Sequence, residues 1–387
     1  MRIAFYAPLK SPDHPIPSGD RLLARNFVAA LKRAGHDVSI AERLRTFDGT
    51  GDERRQHRLA RLAQRCAERL VSRWKHDTRA GPDLWFTYHI YHKAPDWIGP
   101  AVSRALDIPY VVAEASIARK QRDGPWRFGH AAVVDAVRSA DAVISINPGD
   151  VPGIAAERGN APPPIALAPY LDVDAWAASA RSGQHSPWST SPLSDDVRIV
   201  TVAMMRPGYK LTSYRVLADA LARIAHRPWG LMIAGDGSVR ADVERAFASF
   251  RPGRVAFTGA KPREAIAGLL ASADMFVWPA VDESIGMVFL EAQALGVPVV
   301  AGRQPGVAGV VADGVSGILV PATDDVALAG AVDRLIVDAD RRREMGLAAG
   351  RYVREHHDVS TAAVALDAIV QAAVRRRTRL PRDGGRA

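Results

Sequence analysis

The sequence predicts an α/β protein made of two doubly wound, Rossmann-like domains. Three observations carry that prediction. Short apolar runs rich in β-branched residues alternate with helical patterns over most of the 387 residues, as parallel sheets covered by helices require. The alternation runs through twice, with an interval rich in Ser and Pro between the two passes. The length also exceeds what one hydrophobic core normally organises.

In the first pass the strand-like runs are RIAFYAP, HDVSI, DLWFTY, PYVVA and DAVISI. Between the first two lies a helix that places Leu23, Phe27, Ala30, Leu31 and Ala34 on one face and stops at Gly35. The interval 172–196 has no apolar period and reads as a linker. The second pass runs through VRIVTVA, GLMIAG, VAFTG, DMFVWPA, VPVVAG and GILV. After position 324 the pattern is wholly helical, with a last helix from about Ser360 and a basic, disordered tail. The expected organisation is an N-terminal domain over 1–171, the linker over 172–196, a C-terminal domain over 197–357, and a helix with its tail over 358–387. Such sheets bind ligands outside the carboxyl ends of their strands, so two of them are expected to aim their loops into a shared cleft.

The net charge of +9 is concentrated rather than spread. Positions 41–80 carry eleven Arg or Lys against six Asp or Glu, and 372–387 carry six Arg against Asp383. The remainder is nearly neutral, which argues against a nucleic-acid-binding face. The single cysteine, Cys66, excludes an intramolecular disulfide and suits a reducing compartment, so a cytoplasmic location is expected. No signal-peptide pattern opens the chain, and no apolar run reaches the length of a spanning helix. A helix carrying Leu59, Leu62, Cys66, Leu70 and Trp74 between arginines has two readings. It docks on its own domain, or it rests on anionic lipid at the inner face of the membrane.

The chemistry concentrates in DESIGMVFLEAQALGVPVVAG, positions 282–302. Ile285, Val288, Phe289, Ala292 and Leu295 fall at helical spacing, while Gly296 and Pro298 end the helix. Glu291 lies off that stripe. Glu283 precedes the helix, beside the free backbone N–H groups of a first turn near Gly286, which form an anion site. Taken alone, Asp282, Glu283 and Ser284 cap the helix. A second set, MMRPGYK, puts Arg206 and Lys210 just after a strand, where a diphosphate needs cations. Gly235 and Gly237 in the following Gly-Asp-Gly loop permit close backbone approach. In LKSPDHPIPSGDR, Gly19 precedes a helix start and offers a further phosphate contact, and His89 and His92 leave the strand end of DLWFTYHIYHKAPD. No Cys/His metal spacing, Walker A sequence or Ser-His-Asp signal is present.

Together these residues resemble the retaining GT-B glycosyltransferases of family 4, which use nucleotide-sugar donors. The E-x7-E pattern of Glu283 and Glu291, followed by A-x-A-x-G-x-P-V-V-A, carries most of the likeness. The resemblance implies that Glu283 meets donor-sugar hydroxyls, Glu291 the nucleotide ribose, and Arg206 with Lys210 the diphosphate. It implies that backbone near Ser284, Gly286 and Met287 meets the phosphates, and that Gly259 to Pro262, including Lys261, borders the base. It also implies retention at the anomeric carbon, no metal requirement, and a role in bacterial cell-envelope polysaccharide or glycolipid synthesis, with a glycan or lipid-linked acceptor. His89 matches the family's histidine at the sugar's anomeric side, one residue later than its common spacing, so His92 is the alternative. Arg206 to Lys210 is one residue shorter than the family's pattern, Pro305 to Gly309 stands where G-G-x-P-E is frequent, and Glu114 occupies a position where histidine is frequent. A sugar-nucleotide epimerase, a phosphorylase and a basic nucleotide- or nucleic-acid-binding protein are the alternatives.

Overall fold

The computed structural model describes residues 1–16, 18–182, 188 and 196–379. These divide into two compact units, one comprising residues 1–167 and 359 onward, the other residues 168–358.

The first unit contains β1 (Arg2–Tyr6), β2 (Asp37–Ile40), β3 (Leu84–Tyr91), β4 (Tyr110–Ser116), β5 (Ala142–Ser145) and β6 (Ile165–Ala166). All pair in parallel in the order β2-β1-β3-β4-β5-β6. The first five are the expected strands. The sixth is two exposed residues long and carries no apolar signature. The first helix, Gly19–Arg33, buries Leu23, Phe27, Ala30 and Leu31 as its periodicity requires, and Ser18 caps it by accepting from the Arg21 N–H at 3.2 Å.

The second unit contains β7 (Val197–Val202), β8 (Trp229–Ala234), β9 (Val255–Gly259), β10 (Met275–Trp278), β11 (Val299–Gly302) and β12 (Gly317–Val320). Their order is β12-β11-β10-β7-β8-β9, again parallel throughout. Each strand is the one expected. Near-continuous burial of β8 and β10 explains why they read as unbroken apolar runs rather than as alternating ones.

Two expectations are corrected, for the linker interval and for the buried face of one helix. Part of the linker interval is structured, since Val173–Ser182 forms a helix with Trp176 buried, and Trp188 is buried too. Asp172 caps that helix by accepting from the Ala175 N–H at 2.8 Å, and the Trp176 indole donates to the Glu291 carbonyl at 2.7 Å. One tryptophan at this spacing gives no periodic signal, so the helix is invisible to a pattern search. The final helix runs over Val359–Arg379, starting within a residue of the expected position, and residues 380–387, where the basic tail continues, lie outside the described residues. Its charges have partners in the first unit. Arg377 pairs with Asp107 at 3.1 Å, Arg376 donates to the Asp141 carbonyl at 2.5 Å, and Asp367 lies 3.3 Å from His36. Finally, helix Met287–Ala294 buries Phe289, Leu290, Ala292 and Gln293, so its inner face is rotated from the stripe expected through Val288 and Leu295.

The arginine-rich helix Glu53–His76 turns Ala63, Ala67, Leu70 and Trp74 into the core of its own unit and leaves Leu62 exposed. Of the expected stripe, Leu70 and Trp74 are thus used internally, while Leu59 and Cys66 are half-buried. Among the described residues, no helix is long and apolar enough to cross a membrane.

Candidate functional site

In a doubly wound sheet, ligands settle where successive connections leave a strand in opposite directions. In the second unit that point lies between β7 and β10, because β8 and β9 continue on one side while β11 and β12 continue on the other. The two motifs singled out in the sequence occupy the loops that leave these two strands. Gly208, at φ +80°, turns the loop after β7 into helix Tyr209–Arg223, whose second residue is Lys210. Lys210 Nζ donates to Glu283 Oε2, from the loop after β10. The same ammonium stands 5.6 Å from the centre of the Trp278 ring, at the end of β10. The shortened spacing between Arg206 and Lys210 therefore does not prevent Lys210 from reaching the glutamate.

The loop holding Glu283 is sharply constrained. Ala280, Asp282 and Gly286 take φ values of +57°, +54° and +70°. For the two non-glycine residues this costs roughly 1–3 kcal/mol each, strain that persists only where surroundings enforce it. The Ser213 hydroxyl accepts from the Val281 N–H at 3.0 Å, and Gly306 lies so close beneath the loop that a Cβ there would fall 2.0 Å from the Ser284 carbonyl oxygen. Helix Met287–Ala294 is capped by Gly286 with no side-chain bond. Glu283 and Ser284 therefore do not cap it, and the capping explanation for the acidic residues fails. The Phe289 N–H donates to the Gly286 carbonyl at 3.0 Å, which leaves the first-turn N–H groups of Met287 and Val288 as the ones suited to an anion.

Glu291, one helical turn on from Met287, is half-buried, and removal from water pushes its carboxyl up to about 7 against the opposing pull of the Arg263 guanidinium. Arg263 itself lies over the Trp176 ring at 4.6 Å. Gly235 and Gly237 have φ values of +152° and +156°, and a Cβ at either would collide with the Ala203 or Met205 carbonyl oxygen at 1.9 and 2.2 Å. This pair locks the loops after β7 and β8 together, through Met205 N–H donating to the Asp236 carbonyl at 2.9 Å. Gly259 ends β9 at φ +73° and its carbonyl accepts from Gly235 at 2.9 Å. Arg206, Lys261 and Ser284 are exposed, and neither cation makes an ion pair with any described residue. Arg206 is thus not joined to the Lys210–Glu283 pair by a direct bond.

The first unit repeats the arrangement. Its sheet reverses between β1 and β3. Gly19 opens the helix after β1 with open space where its Cβ would stand, and the next residue, Asp20, lies 2.9 Å from His89 Nδ1 near the end of β3. This bond holds the Asp20 carboxyl below its usual range. His89 takes φ +57° and stacks on Tyr91 with ring centres 5.4 Å apart. Beside it on β4, Glu114 takes φ +60°; burial raises its carboxyl, which accepts the Ile146 and Asn147 N–H groups. His92 has a different setting: its ring meets Trp126 edge-on at 5.6 Å, its Nδ1 is buried without a partner, and burial pushes it down to about 4. Of the two histidines, only His89 stands at the switch point. Sequence reasoning missed Asp20, although its place beside Gly19 in a first turn was the available signal, and missed Trp278, which reads as strand. Among the described residues, no three His, Cys, Asp or Glu side chains gather as metal ligands.

Residues 196–338 match the family described as glycosyl transferases group 1. A D-inositol 3-phosphate glycosyltransferase of Corynebacterium diphtheriae is 36% identical over 140 residues, 35% of this chain and 33% of the relative. An alpha-D-kanosaminyltransferase of Streptomyces kanamyceticus is 33% identical over 152 residues, 39% of each chain. The aligned stretches thus span between a third and two fifths of these relatives' length. The crystal structure of HepE from Anabaena in complex with UDP superposes with a TM-score of 0.69 at 17% identity, covering 96% of this chain and all of that one. At that identity the likeness is one of fold, two Rossmann-like domains of the GT-B class.

Proposed function

We propose that this chain, whose residues 196–338 form a group 1 glycosyl transferase domain, moves a hexose from a nucleoside diphosphate sugar to an acceptor hydroxyl with retention at the anomeric carbon. The observation that carries the reading is the Lys210–Glu283 pair, seated at the switch point of that domain beside an uncapped helix N-terminus. A carboxylate next to an anion site suits a ligand with both hydroxyls and phosphates. Glu283 accepts from the hexose hydroxyls, Lys210 and Arg206 neutralise the diphosphate, and the amides from Gly286 and Met287 add to that field. Glu291 receives the ribose, while Gly259 and Lys261 border the base. HepE, whose fold this chain shares, has been crystallised with UDP and with UDP-glucose.

The transition state has oxocarbenium character, and negative charge grows on the departing phosphate. Fixed donors aimed at such charge are worth roughly 10²- to 10³-fold each in rate. Two cations and the helix amides supply this stabilisation without a resident metal, so activity persists in the presence of a chelator. A donor phosphate oxygen receives the acceptor's proton, and His89 acts at the anomeric side, oriented by Asp20. The reading places the protein in the cytoplasm, in the synthesis of cell-envelope glycan or glycolipid.

A thermal-shift panel of sugar nucleotides tests the donor. Ligand at 100 times its Kd adds about 2.7 kcal/mol of stability. The matching donor is then incubated with candidate acceptors and the product's anomeric configuration read by NMR. Inversion removes retention from the proposal, turnover without an acceptor replaces transfer by epimerisation, and dependence on inorganic phosphate replaces it by phosphorolysis.

A further inference from the structure

In the first unit, a cavity of about 230 Å³ is lined by Lys10, Ser11, Asp13, His14, Pro15, Arg43 and Arg45, from the loops that follow β1 and β2. None of these side chains belongs to the donor site. The charge count is unusual for an exposed loop pair. Asp13 is already engaged, accepting from Arg43 Nε at 2.5 Å and from the Ser11 hydroxyl at 2.5 Å. Burial pushes its carboxyl up, but these bonds outweigh it and hold the group ionised below its usual range. That leaves Lys10, which makes no ion pair with any described residue, and Arg45, which spends its Nε on the Leu9 carbonyl at 3.0 Å and lies over the Phe47 ring at 4.6 Å. The three cations that line the pocket outnumber its one carboxylate, Asp13, by two, although Lys10 also acts on Asp20 beside it, and an imidazole stands at the edge.

The pocket is built rather than incidental. Arg21 and Arg25, both on helix Gly19–Arg33, donate to the His14 and Pro12 carbonyls at 2.7 Å each and fix the course of the loop. It also stands beside the His89 centre. Lys10 is close enough to Asp20, the partner of His89, to help hold its carboxyl down, and Arg45 acts on the hydroxyl of Tyr91, which stacks on His89.

We infer that the pocket of Lys10, His14, Arg43 and Arg45 binds a dianionic group of the acceptor, a phosphate monoester, and so holds the acceptor beside His89. Two surplus cations match the charge of a phosphate monoester dianion better than that of a single carboxylate, and arginine offers the forked donors that phosphate oxygens accept. The inference rests on the transferase reading only for the word acceptor; the anion site stands on its own geometry.

Titration calorimetry of the full chain with inorganic phosphate, at ionic strength held constant with chloride, provides the test. Wild-type protein shows saturable binding, and Lys10→Gln combined with Arg45→Gln weakens it by about tenfold or more, because charge-assisted hydrogen bonds are lost. Lys10→Arg with Arg45→Lys keeps the charge and retains most of the binding, which separates loss of the site from loss of the fold. No saturable binding by wild type, or equal binding by the charge-removed variant, overturns the site. Two further arms name the source: a soluble hexose phosphate competes if the acceptor is a free sugar phosphate, and phosphatidic acid in phosphatidylcholine vesicles competes if it is a lipid phosphate. Competition by neither overturns the acceptor assignment. A parallel titration with nucleoside diphosphates keeps the two proposals apart. Nucleotide binding without phosphate binding defeats the pocket alone, and phosphate binding without nucleotide binding defeats the donor reading alone.

Discussion

Lys210, at the start of the helix that follows β7, and Glu283, in the loop after β10, form an ion pair between positions 73 apart in sequence, with both side chains still in contact with solvent. Each partner answers the other's charge, and both stand ready at the switch point. A phosphate oxygen then competes for the ammonium and a sugar hydroxyl for the carboxylate. Lys210→Ala is expected to lower kcat by about 10²- to 10³-fold, and Glu283→Gln to lower kcat/KM at least about tenfold, equivalent to about 1.4 kcal/mol. The double variant should lose less than the product of the two, since the residues act as one unit. Steady-state kinetics with the donor found in the panel measures all three, and additive losses would mean that the pair is incidental.

Arg206 is exposed and makes no ion pair with a described residue, so its removal should leave the fold untouched. Arg206→Ala is expected to keep the wild-type Tm and to weaken nucleoside diphosphate binding by roughly tenfold in calorimetry, the scale of one charge-assisted contact. The salt dependence of binding should flatten in the variant, because one screened attraction is gone. A variant that binds as tightly as wild type removes Arg206 from the site.

Most of the longer strands were legible because burial on both faces leaves no alternative to apolar, β-branched runs; Val299, Val300 and Ala301 in β11 are fully buried, whereas β2 and β9 are only partly so. Glu283 and Lys210 stood out for a different reason, since two charge-bearing motifs recur after strands, and the structure brings the two side chains together. What escaped depends on long-range geometry. The helix Val173–Ser182 is held by Trp176 against Glu291 and Arg263, partners more than 80 positions away. The bond between Asp20 and His89 likewise joins positions 69 apart. Neither contact leaves a periodic trace. The start of the final helix was legible, but not the partners of its arginines, two of which reach Asp107 and the Asp141 carbonyl.

Glu291 makes stability depend on pH in a defined window. Its carboxyl rises from an ordinary value of 4.5 to about 7 on folding, so the native state holds a proton that the unfolded state has released over that interval. Stability is therefore fully present below about pH 4.5, declines as pH rises toward 7, and is flat for this group above it. Chemical denaturation at several pH values should show that decline in wild type, and Glu291→Gln should remove it. A slope unchanged by the substitution would assign the effect to another group.

The contact between Asp20 and His89 predicts a division between binding and turnover. Both residues lie in the first unit, while the proposed diphosphate contacts lie in the second. Asp20→Asn should therefore leave nucleoside diphosphate affinity as it is and lower kcat, because the imidazole loses the carboxylate that fixes its ring. About tenfold is the scale expected for a positioning contact of this kind. A fall in nucleotide affinity with kcat preserved would contradict the assignment of His89 to the transfer step.

Two glycines that look alike in the sequence should respond oppositely to alanine. At Gly235 the backbone stands at φ +152°, and an added Cβ would lie 1.9 Å from the Ala203 carbonyl oxygen, so the strand-end loops must part to admit it. Gly235→Ala is expected to destabilise the protein by about 2 kcal/mol or more, through overpacking and strain together. Around Gly19 there is open space, and the residue starts a helix, where alanine is the better former. Gly19→Ala should leave stability unchanged or raise it by up to ~1 kcal/mol. Any loss of transfer in that variant then reports a ligand approaching the backbone, because the protein alone leaves room for the methyl group. Thermal denaturation beside a rate measurement distinguishes the cases. If Gly19→Ala is as stable and as active as wild type, nothing comes close to that backbone during turnover.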